Sequence, residues 1–178
     1  MAAVLLIAAP GAAWAAVFHL AQPDFGERDV RADLIADQEL RTEPDGDRSV
    51  LVVRIGLALG DPGAGRPSVT SSLDHIRLAF DCPGRRYRVL SEVLYAGLDS
   101  SAEHTDKSPP AGQAANAVEP DGDMEDIYLF ACQGPRAVKT PMLAFQQQNL
   151  WGAAAEAADS LSRMLLRAAS KAPPPESR

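Results

Sequence analysis

Apolar and polar residues alternate through His75-Ile76-Arg77-Leu78-Ala79-Phe80-Asp81-Cys82, the pattern of a strand with one side on a core. Ile76, Leu78, Phe80 and Cys82 fall on one side, His75, Arg77, Ala79 and Asp81 on the other, and a strand is predicted over Leu73 to Cys82. Pro83-Gly84 turns the chain into a second run, Arg85 to Ala96. There Tyr87, Val89, Val93 and Tyr95 share a face with Ser91, and Arg86, Arg88 and Glu92 share the other with Leu90 and Leu94. So short a link predicts an antiparallel hairpin. Upstream, Ser49 to Leu59 sets Leu51, Val53, Ile55, Leu57 and Leu59 on one side, while the other side opens with Val50 and Val52. A run that starts apolar on both sides reads as a central strand. Glu43-Pro44-Asp45-Gly46-Asp47 is the turn before it, proline presetting φ and glycine accepting a positive one. Asp29 to Arg41 alternates except at Ile35; its Ala, Asp, Gln and Glu content also suits a helix, and a strand is preferred because strands follow. Ala114 to Val118 reads as a short edge strand, Gly60 to Pro67 and Asp99 to Gly112 as loops.

The period changes after Glu-Pro-Asp-Gly-Asp recurs at 119–123. Met124, Ile127, Tyr128, Ala131 and Cys132 lie at helical spacing, with Asp121 or Asp123 as the expected N-cap and acidic residues in the first turn, where the helix dipole favours them. Gly134-Pro135 stops that helix. From Pro141 onward, Leu150, Trp151, Ala154, Ala158, Leu161, Leu165 and Ala168 recur at three- and four-residue steps, with the Gln146–Asn149 stretch and Arg163 on the wet side. The expected organisation is a loosely held arm at 16–28, an α+β domain at 29–134, an amphipathic C-terminal helix at 138–170 and a disordered tail at 171–178. The sheet is expected to be curved and antiparallel, of about five to six strands, with one helix on a face.

Length and composition suit one globular domain: 178 residues, 46% hydrophobic and 23% charged. Residues 1–15 carry the uncharged run Ala3 to Ala9 and then Ala13-Trp14-Ala15, an A-x-A cleavage pattern, so they are expected to be a signal peptide even though no basic residue precedes the run. The run is too short to span a bilayer, and no later stretch is long and apolar enough. With no cysteine at the cleavage point, no lipid anchor is expected. The protein is thus expected to be periplasmic or associated with the outer surface.

Export decides how the two cysteines are read. In a reducing compartment Cys82 and Cys132 would be separate buried thiols; in an oxidising one they predict a bridge fastening the helix to the sheet. Closing a loop of about 50 residues would remove roughly 4 kcal/mol of unfolded-chain entropy.

Formal charge is −7. Six basic residues face three acidic ones after Cys132, so the body is more acidic still, which argues against a nucleic-acid partner. No G-x-S-x-G, H-E-x-x-H or phosphate-loop motif is present, and no catalysis, cofactor or metal site is expected. His75 and His104 read as solvated histidines, with haem or metal ligation as the sharper alternative. Asp121, Asp123, Glu125 and Asp126 lack EF-hand spacing and read as capping carboxylates. Arg85, Arg86 and Arg88 form a basic spot, expected either to pair across strands with Asp74 or Asp81 or to hold an anionic ligand. The stripe of Trp151, Leu161 and Leu165 either packs back on the domain or meets a partner helix or membrane surface.

A strand ending Ile76-x-x-x-Phe80-Asp81-Cys82, a following Arg86-Tyr87-Arg88, a proline-containing loop, and Val118-x-Pro120 before a helix ending in Cys132 together resemble the surface-adhesin protein E family of Gram-negative bacteria, over about Asp29 to Cys132. The resemblance implies an antiparallel sheet with a helix tied to its concave side by a disulfide. It also implies a small, non-catalytic exported binding protein, the best-known member being an outer-membrane adhesin for host matrix proteins, plasminogen and haem. The chain departs from the pattern in lacking a lipid-attachment cysteine, in its long loops and in its extra C-terminal helix. That helix suggests a second role, an envelope structural protein self-associating through it.

Overall fold

The computed structural model describes residues 16–21, 24–25, 28–60, 68–140, 142–147 and 149–170. The expected signal peptide, the disordered tail and nearly all of the Gly60–Pro67 loop lie outside the described residues. In chain order the strands are β1 (Ala16–Leu20), β2 (Asp24–Phe25), β3 (Asp29–Thr42), β4 (Arg48–Leu59), β5 (Val69–Asp81), β6 (Arg86–Tyr95), β7 (His104–Asp106) and β8 (Asn116–Ala117). Helix α1 (Glu125–Gln133), a 3-10 turn at Pro135–Ala137, strand β9 (Leu143–Gln147) and helix α2 (Leu150–Ala169) complete the chain.

The fold is α+β, one open antiparallel sheet of nine strands with two helices. Its order is β7-β6-β5-β4-β3-β1-β9, with β2 beside β3 and β8 beside β6. As its composition requires, β4 is central, paired along its length with β3 and β5. Its two apolar sides feed two cores on opposite faces. Val50 and Val52, with Ile35, Ile76, Leu78 and Phe80, meet Ile127, Tyr128 and Phe130 of α1. Val53, Ile55 and Leu57, with Phe18, Val30, Leu34 and Leu73, meet Ala153, Ala154, Ala157, Ala158, Leu161 and Leu165 of α2. The alanines let α2 lie close to the sheet; the leucines lock it there.

The Cys82–Cys132 disulfide is formed, joining the end of β5 to the last turn of α1, with Cα atoms 5.7 Å apart and 50 residues of chain between. Beside it the Tyr128 hydroxyl donates to the Cys82 carbonyl at 2.9 Å. Bridge, hydrogen bond and apolar contact therefore act on the same helix.

The structure departs from the sequence expectations at several elements, among them β7, a strand inside the expected Asp99–Gly112 loop. The segment 16–28 is not a loose arm: it contains β1, an inner strand with β3 on one side and β9 on the other, and Phe18 and Leu20 are buried. The segment 138–170 is not one helix: its first part forms β9, and α2 begins only where the Asn149 side chain accepts from the Gly152 N–H at 2.8 Å. Because β1 and β9 complete the sheet, the unit is not confined to 29–134. Neither Asp121 nor Asp123 caps α1: Met124 holds the N-cap position without a side-chain bond, and Glu125 reaches back to accept from the Asp121 N–H at 2.8 Å. Finally, Tyr87 and Val89 do not share a face with Val93 and Tyr95. The register against β5 slips by one residue between Ser91 and Val89, leaving Leu90 as the extra, exposed residue of a bulge. Tyr87 and Val89 join the α1 core, and Tyr95 the α2 core.

Candidate functional site: the uncovered half of the sheet

Each face carries one helix, but the two are covered unequally. Toward the loop end of β4, the side that α1 meets at Val50 and Val52 turns polar. The period-two rule places Asp29, Arg31 and Asp33 of β3, Arg54 and Gly56 of β4, and Ser72 and Asp74 of β5 on this side, in facing register. Helix α1 stops short of them, and a shelf remains.

Its centre is a two-pronged ion pair. Arg54 donates from Nε to Asp33 Oδ1 at 2.9 Å and from Nη2 to Oδ2 at 3.0 Å. The Asp33 hydrogen bond raises the Arg54 pKa above its ordinary value against the opposing effect of burial, and the charges of Asp74 and Asp123 add to it. Asp74 Oδ1 is buried without a hydrogen-bond partner, so the favourable field of Arg54 is what compensates that carboxylate.

Around this pair lies a pocket of about 250 Å³ between β3, β4 and the turn that precedes α1. Asp24, Asp33, Asp121, Asp123 and Asp126 line it, with Arg31 and Arg54 as its cations. A second hollow of about 210 Å³ continues along the same strands, past Gly56 to Ser72 and Thr70. Gly56 keeps that hollow open: a Cβ there would stand 2.8 Å from the Ser72 hydroxyl oxygen. Arg31 lines both. Among the described residues it is the strand arginine with no hydrogen bond or ion pair, whereas Arg41, Arg48, Arg54, Arg77, Arg86 and Arg88 all have partners.

The basic spot predicted at Arg85, Arg86 and Arg88 is spent on the protein itself, with neither Asp74 nor Asp81. Arg88 pairs with Asp45 and, at 3.0 Å, with Asp47, pinning the β3–β4 turn. Arg86 donates to the Ala115 carbonyl at 2.9 Å. Arg85 lies over the Tyr128 ring, 4.8 Å from its centroid, and donates to Glu125 at 3.1 Å. Glu125, with its side chain only 7% exposed, also takes Lys139 at 2.8 Å. Lys139, the Asp121 N–H and Arg85 outweigh desolvation and hold its carboxyl at a pKa of about 2. These arginines clamp turns and a helix end; they are not an open anion site.

Of the two readings of the Trp151, Leu161 and Leu165 stripe, the structure shows the one in which it packs back on the domain. Leu161 and Leu165 are 2% and 3% exposed against the sheet. Trp151 is half-buried in an aromatic group with Tyr95, ring centroids 5.1 Å apart, and His75, at 4.8 Å. His75 is therefore a packed residue rather than a solvated one. Its Nε2 is buried without a partner, and desolvation lowers its pKa despite the opposing charge of Asp74. His104 is exposed and stacks on Tyr95 at 5.5 Å. Among the described residues no three potential ligands gather as a metal site, and no helix is long and apolar enough to cross a membrane.

Sequence reasoning passed over Arg31, Asp33 and Arg54. The available signal was the charge alternation Asp29-x-Arg31-x-Asp33 on the side of β3 away from Val30, Ala32 and Leu34, in register with the central strand β4.

Fold and shelf together define a class: an open antiparallel sheet, sealed on one face by an alanine-rich helix and stapled by a disulfide to a shorter helix on the other. The chain matches no family model, no curated protein and no solved structure.

Proposed function

We propose that the protein is a non-catalytic binding module of the cell envelope, akin to the adhesin E family it resembles, and that it binds through the shelf beside α1. One observation carries this reading: a concave, charged surface built on central strands, where Arg31 is left without a partner while every other strand arginine among the described residues is engaged. A free guanidinium beside fixed carboxylates recognises a ligand that carries both signs, such as a peptide segment, and a rigid sheet beneath it keeps the ordering cost of binding low. The bridge suits an oxidising compartment. Self-association through the α2 stripe has lost its surface, since Leu161 and Leu165 face the core.

The test is thermal unfolding of the full chain against a panel of charged peptides derived from envelope proteins. A ligand that saturates the site raises the midpoint, by about 2.7 kcal/mol in stability at a hundred times Kd. The rise should disappear in Arg31→Ala and persist in Arg86→Ala. A rise that Arg31→Ala leaves intact would relocate the site. Clear turnover of generic ester, peptide or glycoside substrates would overturn the non-catalytic reading.

A further inference from the structure

The sheet has two edges, and they are defended differently. At one end, β7 is only three residues long, includes His104 and Asp106, and is flanked by Glu103 and Lys107. Short length and charge are the usual protections against edge pairing. At the other end, β9 reads Leu143-Ala144-Phe145-Gln146-Gln147, with no charge and no proline. It pairs with β1 on one side and, among the described residues, with no strand on the other. Alternate N–H and C=O groups of β9 point outward with no strand to receive them. Leu143 is 68% exposed, the most exposed large hydrophobic residue among the described residues, and Ala144 and Gln146 are exposed as well.

We infer that β9 is a pairing edge and that its occupant is β9 of a second copy of this chain. Charge selects this place, and the two-fold self-complementarity of an antiparallel β9 ladder selects the occupant. Two copies at −7 each repel over most of their surfaces, and β9 is an edge where they can meet without opposing like charges. Geometry permits it: β9 is antiparallel to β1, so an antiparallel β9–β9 ladder continues the order of the sheet. A two-fold axis at Phe145 sets Leu143 opposite Gln147 of the other copy and Ala144 opposite Gln146. Facing residues of an antiparallel pair point to the same side, so both α2 helices stand on one side of the joined sheet. Leu143 then covers the Gln147 side chain that donates to Glu156 of its own α2. The contact is isologous and uses up both β9 edges, so it stops at two. A single five-residue ladder is smaller than the ~1,200 Å² of a standard stable interface, so the dimer forms reversibly.

Sedimentation velocity of the full chain over a wide concentration range tests this. A reversible monomer–dimer equilibrium is expected, with amide exchange at 143–147 slowing as concentration rises. Two variants locate the contact. Ala144→Lys with Gln146→Lys, and Ala144→Glu with Gln146→Glu, set like charges opposite each other across the two-fold axis. Each should remain monomeric while keeping the wild-type circular dichroism and disulfide, and mixing them should restore a dimer. A wild-type chain that stays monomeric at every concentration overturns the proposal. So does a dimer whose exchange at 143–147 is independent of concentration, or one that either charged variant leaves undisturbed.

Discussion

Glu125 is a carboxylate surrounded by a lysine, an arginine and a backbone N–H, and its pKa sits near 2, well below the ordinary glutamate value. The unfolded chain therefore takes up its proton first as pH falls. The stability this group contributes is complete above its unfolded pKa of about 4.3 and is lost as pH drops toward 2. Glu125→Gln should unfold more readily at neutral pH and lose less stability across that acid window, as read by urea midpoints. His75 works in another range. Desolvation beside Trp151 and Tyr95 lowers its pKa, so its contribution is present above its unfolded pKa of about 6.5 and falls away below. His75→Phe keeps an aromatic ring in that place and should show a smaller drop in melting temperature between about pH 7.5 and pH 5 than the wild type. The two cysteines were legible because the sequence holds only two and each ends an amphipathic run. The arginine partners were not. Asp45, Asp47 and Glu125 lie on turns and helix ends that fold over β6 from far along the chain, and no local spacing announces such contacts.

At the level of elements, β4, β5 and α1 could be read from periodicity, since each carries its pattern over many residues. Strand β1 could not. Five residues give alternation too little length, and its partners are β3 on one side and, more than a hundred positions away, β9 on the other. Strand β9 reads as helix in the sequence because the stripe of α2 begins directly after it and glutamine is content in either state. The bulge at Leu90 shows how little it takes to mislead a period-two reading: one extra residue exchanges the faces of everything beyond it. Deleting Leu90 should force either Tyr87 and Val89 or Tyr95 out of their cores. The expected result is a protein that no longer unfolds cooperatively in calorimetry. Leu161→Ala removes one of the two buried leucines of the α2 contact and should cost about 2–5 kcal/mol, measured by chemical denaturation.

Over the whole molecule, the staple and the two cores distribute stability unevenly. Helix α2 is held by packing and the Gln147–Glu156 hydrogen bond, whereas α1 is nine residues long and adds a covalent tie to a smaller contact. Cys82→Ser with Cys132→Ser should lower global stability by about 4 kcal/mol. It should also raise amide exchange within Glu125–Gln133 well before it does so in α2. The class of fold was legible because its central strand declares two buried sides. The shelf was not, because a polar row on a strand looks the same whether it faces open water or a pocket, and only the stopping point of α1 decides which.

The pairing of β1 with β9 also constrains the order of events during synthesis. The first described strand meets one of its two neighbours only when residue 147 has been made. Until then Phe18 and Leu20 lack both that neighbour and the α2 that later covers them. A nascent chain shorter than this should hold a sticky, half-paired β1 and depend on a holding chaperone, whereas synthesis through β9 and α2 lets the seam close in one step.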